Sequence, residues 1–183
     1  MLGITSNQQA AQFEFARLAI QYYVAGRFAA LSHCVPVAGN LLHHAVEMFL
    51  KGALVTRMSL PELKKINHNL KVLWNTFKQI YPDPALAALD SSIGELEKFE
   101  RLRYPDAVVT EGMQNLFAIR KRDFAPLPSG PQPAYHLVLE DVDIIAKAIA
   151  DTANVNFEAY ASPVTDIARQ FLLLHNEHSV FRR

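Results

Sequence analysis

The stretch HHAVEMFLKGAL, residues 43–54, has the pattern of one helix with two kinds of face. Its apolar residues recur at helical spacing and form a broad face of the kind that packs into a protein core. The polar residues His43, Glu47 and Lys51 follow at intervals of four and form a nearly axial row. Glu47 before Lys51 is the favourable orientation for a helix ion pair, worth about 0.2–0.5 kcal/mol. The row is therefore either a solvated edge or a polar strip beside the core that binds a ligand or anchors the next segment.

Helical spacing of apolar residues continues on both sides of this stretch. We predict helices over about 7–31, 36–57, 68–80, 84–103, 140–160 and 163–178, with a turn or a short helix start at 59–62. The segment from about 105 to 137 differs, because its cluster of four prolines excludes a continuous helix. Short strands are possible in it at about 116–119 and 135–139.

This order of elements predicts an all-α protein, an up-and-down four-helix bundle in a single domain over residues 1–183. We expect the core bundle to comprise about 8–106 and 138–160, with 107–137 as a proline-rich loop insertion. The helix at about 163–178 would be an addition at the carboxyl end.

Composition limits the classes of function. Lys plus Arg equals Asp plus Glu at 18 each, so no net charge attracts the whole molecule to nucleic acid or to an anionic membrane. Cys34 is the single cysteine, which favours a reducing, cytoplasmic location. The first residues lack the basic and apolar parts of a signal peptide. Because no run of about 18 apolar residues occurs, we expect no membrane contact.

Three short motifs occur in a fixed order: AVEMFLKGAL at 45–54, HNLKVLW at 68–74 and LRYPD at 102–106. Together they resemble the HEPN family, the higher eukaryotes and prokaryotes nucleotide-binding domain. The family pattern has Ala-x-Glu-x-x-Leu-Lys-Ala-Leu on one helix, His-Asp-Leu at the start of the next, and Arg-Tyr-Pro after the fourth. The matching residues are Ala45, Glu47, Leu50, Lys51, Leu54, His68, Leu70, Arg103, Tyr104 and Pro105.

The resemblance covers roughly 8–106, because YYVAGRFAALSHC at 22–34 is similar to the family's Ala-Gly-x-Tyr segment. Asn69 stands where the family has Asp, and Gly52 stands where it has Ala. Residues 107–183 match no part of the pattern.

The resemblance implies that Lys51, His68 and Arg103 approach one another beside Glu47. Three potential cations there would hold a phosphate group, or would instead satisfy carbonyls and carboxylates at helix ends. The function implied is a non-catalytic binding module for a nucleotide or for a nucleotidyltransferase-type partner. The family also implies a homodimer. No cofactor and no metal ion is predicted.

Two alternatives remain open, a metal-independent ribonuclease and a structural dimerisation domain. Many HEPN proteins resemble metal-independent ribonucleases whose motif is an Arg followed after four to six residues by a His. In that motif the Arg stabilises phosphate charge and the His transfers protons. Arg103 has no His at that distance, whereas two other pairs fit, Arg27 with His33 and Arg169 with His175. Six residues turn a helix through about 600°, so Arg169 and His175 would face different sides. They are still the better candidates for catalysis, with RNA as substrate.

Three further groups have two readings each. Asp141 and Asp143, downstream of Ser129-Gly130, suggest a metal pair, but with Glu140 they also complement the positive end of a helix. His175, Glu177 and His178 suit either a metal ion or a frayed helix end. The basic triplet at 120–122 is either solvated or in contact with phosphate.

Overall fold

The computed structural model describes residues 6–125 and 130–181. It is mainly helical, at 70% helix, which confirms the predicted class. The helices are α1 (Ser6–Leu31), α2 (Val35–Leu54), α3 (Leu60–Ile66), α4 (Leu70–Ile80), α5 (Asp90–Lys98), α6 (Asp106–Glu111), α7 (Leu139–Ala153) and α8 (Asp166–Leu173). In the part of the chain described, no helix combines the length and the apolar character needed to cross a membrane.

Helix α2 is the centre of the fold. It packs along α1 over much of its length and also contacts α4, α5 and α7. Small residues allow the close approach of α1 and α2, since Ala16, Ala19, Ala30, Ala38 and Ala45 are all fully buried in the contact region. The polar row is also enclosed, because His43 and Glu47 are fully buried and Lys51 is nearly so. The row is therefore a polar strip inside the protein and not a solvated edge.

Local sequence signals place the two helices that follow. Ser59 and Glu62 form a reciprocal capping box at the start of α3. The side chain of Asn69 caps α4 by accepting a hydrogen bond from the backbone N–H of Val72, at 2.9 Å. Asn is as good an N-cap as the Asp of the HEPN pattern. The apolar face of α4, with Leu73 and Phe77, packs against α2.

The predicted helix over about 84–103 is interrupted. It consists of a 3₁₀ helix (Pro84–Leu89), then α5, then a second 3₁₀ helix (Phe99–Arg103). Its buried residues are Leu86, Leu89, Ile93, Leu96 and Phe99. The first 3₁₀ segment contains two buried residues three apart, Leu86 and Leu89, and three residues per turn keeps them on one side. The second begins with the buried Phe99. The tighter winding at the end of α5 positions Glu100 and Arg103.

The proline-rich segment is more structured than the predicted loop. It contains α6 and two strands, β1 (Gln114–Ala118) and β2 (Ala134–Val138), which pair in parallel with Gln114 opposite Ala134. The two short strands expected from the sequence are therefore present, within two residues of the predicted positions. Pro126, Pro128 and Ser129 lie outside the described residues.

The two helices of the carboxyl-terminal region are shorter than predicted. α7 ends at Ala153, where Asn154 takes a left-handed conformation, and a 3₁₀ helix (Phe157–Tyr160) follows. α8 ends at Leu173 instead of about 178, and His175, with φ of 57°, lies beyond it. Left-handed residues of this kind terminate helices.

Two glycines on α2 give opposite predictions. A Cβ added at Gly39 would lie 2.0 Å from the ring of Phe99, whereas one at Gly52 would meet nothing closer than 3.5 Å. Gly39→Ala should therefore lower the free energy of unfolding by about 1–3 kcal/mol through overpacking. Gly52→Ala should raise it, by up to about 1 kcal/mol, because Ala is the better helix former. Urea unfolding of both variants measures this, and equal destabilisation by both would contradict the α2–Phe99 packing.

Candidate functional site

The candidate site is a cluster that we call the α2 polar centre: His43, His44, Glu47 and Lys51 on α2, His68 before α4, and Glu100 after α5. Glu47 is its focus. Its Oε1 accepts hydrogen bonds from Lys51 Nζ at 2.7 Å and from His68 Nδ1 at 3.0 Å. Its Oε2 lies 3.2 Å from His44 Nδ1. One buried carboxylate thus joins α2 to the residue that precedes the α4 cap.

The electrostatics of the centre keep Glu47 ionised. Burial alone would raise the pKa of this carboxyl. Hydrogen bonds from His44 and Lys51, together with the charges of Lys51 and His68, outweigh burial and lower the pKa of Glu47 from 4.5 to about 2. The ionised carboxylate offsets the charge of Lys51, whose side chain is only 10% exposed.

A second carboxylate, Glu100, faces the two histidines of α2. Its Oε2 lies 3.7 Å from His43 Nε2 and 3.9 Å from His44 Nε2. Its Oε1 pairs with Arg103 Nη1 at 3.4 Å. His43 is fully buried, and its Nδ1 lies 3.3 Å from the carbonyl oxygen of Leu96. Within the described residues, neither His43 Nε2 nor Glu100 Oε2 has a hydrogen-bond partner, although both atoms are buried.

The ligand-binding residues predicted from the sequence are brought together in part. Lys51, His68 and Glu47 meet directly. Arg103 forms its ion pair with Glu100 and not with Glu47, so it joins the centre only through that second carboxylate. The side chains of His68 and Arg103 are 47% and 49% exposed, and they form the solvent-facing rim.

The arginines of the predicted ribonuclease pairs are engaged elsewhere. Arg27 is fully buried, pairs with Asp143, and donates to the backbone carbonyls of Phe171 and Leu174. These contacts attach the end of α8 to α1, which is a structural role. Arg169 donates to Glu158 Oε1 at 3.0 Å.

The histidines of those pairs are likewise placed apart from a shared site. His33 stacks edge-on against Phe117. His175 is exposed beyond the end of α8, so it does not share a helix with Arg169.

The other candidates are also separated. Asp143 accepts from Tyr23 and Arg27 in the core, while Asp141 accepts from Ser92 Oγ at 2.7 Å beside Lys121. They are not a metal pair.

The carboxyl-terminal polar residues and the basic triplet form separate ion pairs. Glu177 pairs with Arg120 at 2.6 Å, and His178 lies 3.5 Å from Glu140. The basic triplet is thus partly neutralised. Among the residues that the structure describes, His43, His44 and Glu47 offer ligand atoms that lie within 4.8 Å of one another.

Sequence reasoning found the row on α2 but missed His44 and Glu100. The available signal was the pair His43-His44 next to Glu47, and Glu100 three residues before Arg103. Their meeting depends on the 3₁₀ turn over Phe99–Arg103, which periodicity did not predict.

Comparisons with protein-family models, with curated proteins and with solved structures find no significant match to this chain.

Proposed function

We propose that the chain is a non-catalytic binding module of the HEPN type, built on an up-and-down helical bundle, and that it binds the phosphates of a nucleotide at the rim of the α2 polar centre. The observation that supports this most is the meeting of Lys51, His68 and Glu47 in one centre, with Arg103 beside it. These are residues of the three motifs on which the HEPN resemblance rests.

The rim supplies the donors that a phosphate needs. Lys51 is nearly enclosed and its charge is offset by Glu47, so it acts as support and not as the first contact. Arg103 has five N–H donors and uses one group in a long, exposed contact with Glu100. A guanidinium with free donors favours paired contacts to phosphate oxygens. His68, whose side chain is 47% exposed, adds an imidazole to the rim and contacts Glu47 Oε1 through its Nδ1.

The non-catalytic part of the proposal rests on the engagement of the alternative residues. Arg27 holds three partners in the interior, and Arg169 is tied to Glu158. An arginine that is already committed to buried carbonyls and a carboxylate is not available to stabilise a phosphate in a transition state.

We expect the full-length, EDTA-treated protein to bind ATP and GTP weakly in isothermal titration calorimetry, with affinity that falls as salt rises. Arg103→Ala should weaken binding about tenfold or more, because a charge-assisted contact is worth about 1.5–3 kcal/mol. His68→Ala should weaken it less. Arg122→Ala, an exposed arginine of the basic triplet, is the matched control and should leave affinity unchanged.

Two outcomes would contradict the proposal. The first is an equal loss of nucleotide affinity in Arg103→Ala and Arg122→Ala, which would place the anion elsewhere. The second is that neither the unmodified chain nor Arg103→Ala binds nucleotide while Arg103→Ala melts at a lower temperature, which would make the rim purely structural. Cleavage of single-stranded RNA by metal-free protein, abolished by His175→Ala with the fold intact, would favour the ribonuclease alternative.

The homodimer implied by the resemblance has a candidate surface. A groove of about 560 Å³ lies between α1 and α8, and its lining includes Phe28, 52% exposed, and Ile167, 71% exposed. Phe171 also lines it. We propose that a second copy covers this groove, with a nucleotidyltransferase-type partner as the alternative occupant.

Light scattering at micromolar concentration should therefore give twice the chain mass of 20.5 kDa. Ile167→Asp should convert the dimer to a monomer, because it introduces a charge into an apolar interface. Val109→Asp, at an apolar residue on α6 that is even more exposed than Ile167, is the control and should remain dimeric. A monomeric mass for the unmodified chain would contradict the proposal.

A further inference from the structure

We propose that His43, His44 and Glu100 bind a divalent transition-metal ion, represented by Zn²⁺, between the Nε2 atoms of the two histidines and Oε2 of Glu100. This inference is independent of nucleotide binding, because it concerns the inner side of the α2 polar centre and a cation instead of an anion.

The first observation is an electrostatic conflict. The Nε2 atoms of His43 and His44 lie 3.7 and 3.9 Å from the same oxygen of Glu100. These distances are too long for hydrogen bonds, but they place three electron-rich atoms close together. His43 Nε2 and Glu100 Oε2 are buried without a hydrogen-bond partner among the described residues. Leaving such atoms unsatisfied is energetically unfavourable. A cation held between them removes the conflict, since all three atoms are then electron-pair donors to one centre.

The second observation is how the opposite ring nitrogens are held. His43 Nδ1 faces the carbonyl oxygen of Leu96, so it carries the proton and leaves Nε2 with its lone pair. His44 Nδ1 faces Oε2 of the ionised Glu47, with the same consequence. A backbone carbonyl on one histidine and a carboxylate on the other are the usual partners that fix metal-binding imidazoles. Both rings are thus oriented as ligands.

The third observation is that the carboxylates of Glu47 and Glu100 have different contacts. Glu47 could also offer an oxygen to the histidines. Its oxygens are already occupied by Lys51, His68 and His44, however. Glu100 uses Oε1 for Arg103 and leaves Oε2 directed at the histidines. We therefore assign Glu100 as the ligand and Glu47 as the residue that positions His44.

The separations from Glu100 Oε2 to the two Nε2 atoms lie near the ligand spacing of a zinc site, and the two imidazoles have to turn toward the same point to complete it. With metal–ligand bonds of about 2.0–2.1 Å, tetrahedral ligand atoms lie about 3.3 Å apart. The two separations from Glu100 Oε2 exceed this by roughly half an ångström, which rotation of the 29% exposed Glu100 side chain can supply. Two histidines and one carboxylate leave a further coordination position open, which is typical of reactive or ligand-binding zinc sites. Imidazole and carboxylate together favour zinc and neighbouring transition metals over Mg²⁺ and Ca²⁺.

The test uses the untagged full-length chain, stripped with EDTA, exchanged into chelator-free buffer, and titrated with ZnCl₂ in competition with a chromogenic chelator. We expect one Zn²⁺ per chain at this site. Glu100→Gln and His43→Gln should each weaken Zn²⁺ binding by at least about tenfold, since even loss of an outer partner costs 10- to 100-fold. Glu95→Gln is the matched control, because Glu95 faces a single histidine, His136, at 3.4 Å, and it should change affinity less than about twofold.

A second readout does not depend on variants. Long-range ¹H–¹⁵N NMR of the metal-free protein should show His43 and His44 protonated on Nδ1, and Zn²⁺ should shift Nε2 of the same two rings. Absence of stoichiometric binding would overturn the proposal. Unchanged Zn²⁺ affinity in Glu100→Gln would do so as well, even if His43→Gln failed to fold. Protonation of His43 on Nε2 in the metal-free protein would equally contradict it.

Discussion

The ionised carboxylate of Glu47, enclosed in the middle of α2, is the constraint on which the arrangement around it depends. A buried charge is costly unless it is paired and fully hydrogen-bonded. Glu47 meets this condition through three partners, Lys51 one turn further along α2, His44 one turn before it, and His68 from the segment before α4. The position of His68 is therefore coupled to the charge on α2. Asn69 caps α4 directly afterwards, so this contact attaches the residue before the cap to α2.

The effect of Glu47 extends to Glu100 through the histidines. By accepting from His44 Nδ1, Glu47 directs the other ring nitrogen toward Glu100, as the Leu96 carbonyl does for His43. The α2 polar centre thus has an inner side, where electron-pair donors converge, and an outer rim, where Arg103 and His68 face solvent. The two sides suit opposite charges, which is why we propose a metal ion for one and a phosphate for the other.

Local patterns in the sequence predicted those parts of the fold that depend on local forces. Regular apolar spacing located α1, α2 and α4, and it placed the start of α4 within two residues of the observed one. The interval of four between Glu47 and Lys51 predicted their ion pair, although spacing could not show that it is buried. The interruption of the helix over 84–103 was missed, because an uninterrupted helix and the observed 3₁₀ segments place much the same apolar residues inward.

Contacts between residues that are far apart in the sequence could not be predicted from local patterns. The expected approach of Arg103 to Lys51 was drawn from the family pattern, but the 3₁₀ turn after α5 places Glu100 nearer the histidines and Arg103 at the rim. Arg27 matched a ribonuclease pattern by spacing alone, and only the packing of α8 and α7 on α1 shows its structural task.

The most direct test of this account is the free energy of unfolding of Glu47→Gln, measured by urea denaturation at neutral pH in the presence of EDTA. The account predicts a loss of about 3 kcal/mol or more, because Lys51 and His68 would lose the charge that holds them. Glu111→Gln, which removes the charge from an exposed ion pair with Arg101, should lose less than about 1 kcal/mol. A loss in Glu47→Gln no larger than that of Glu111→Gln would contradict the central role of the buried carboxylate.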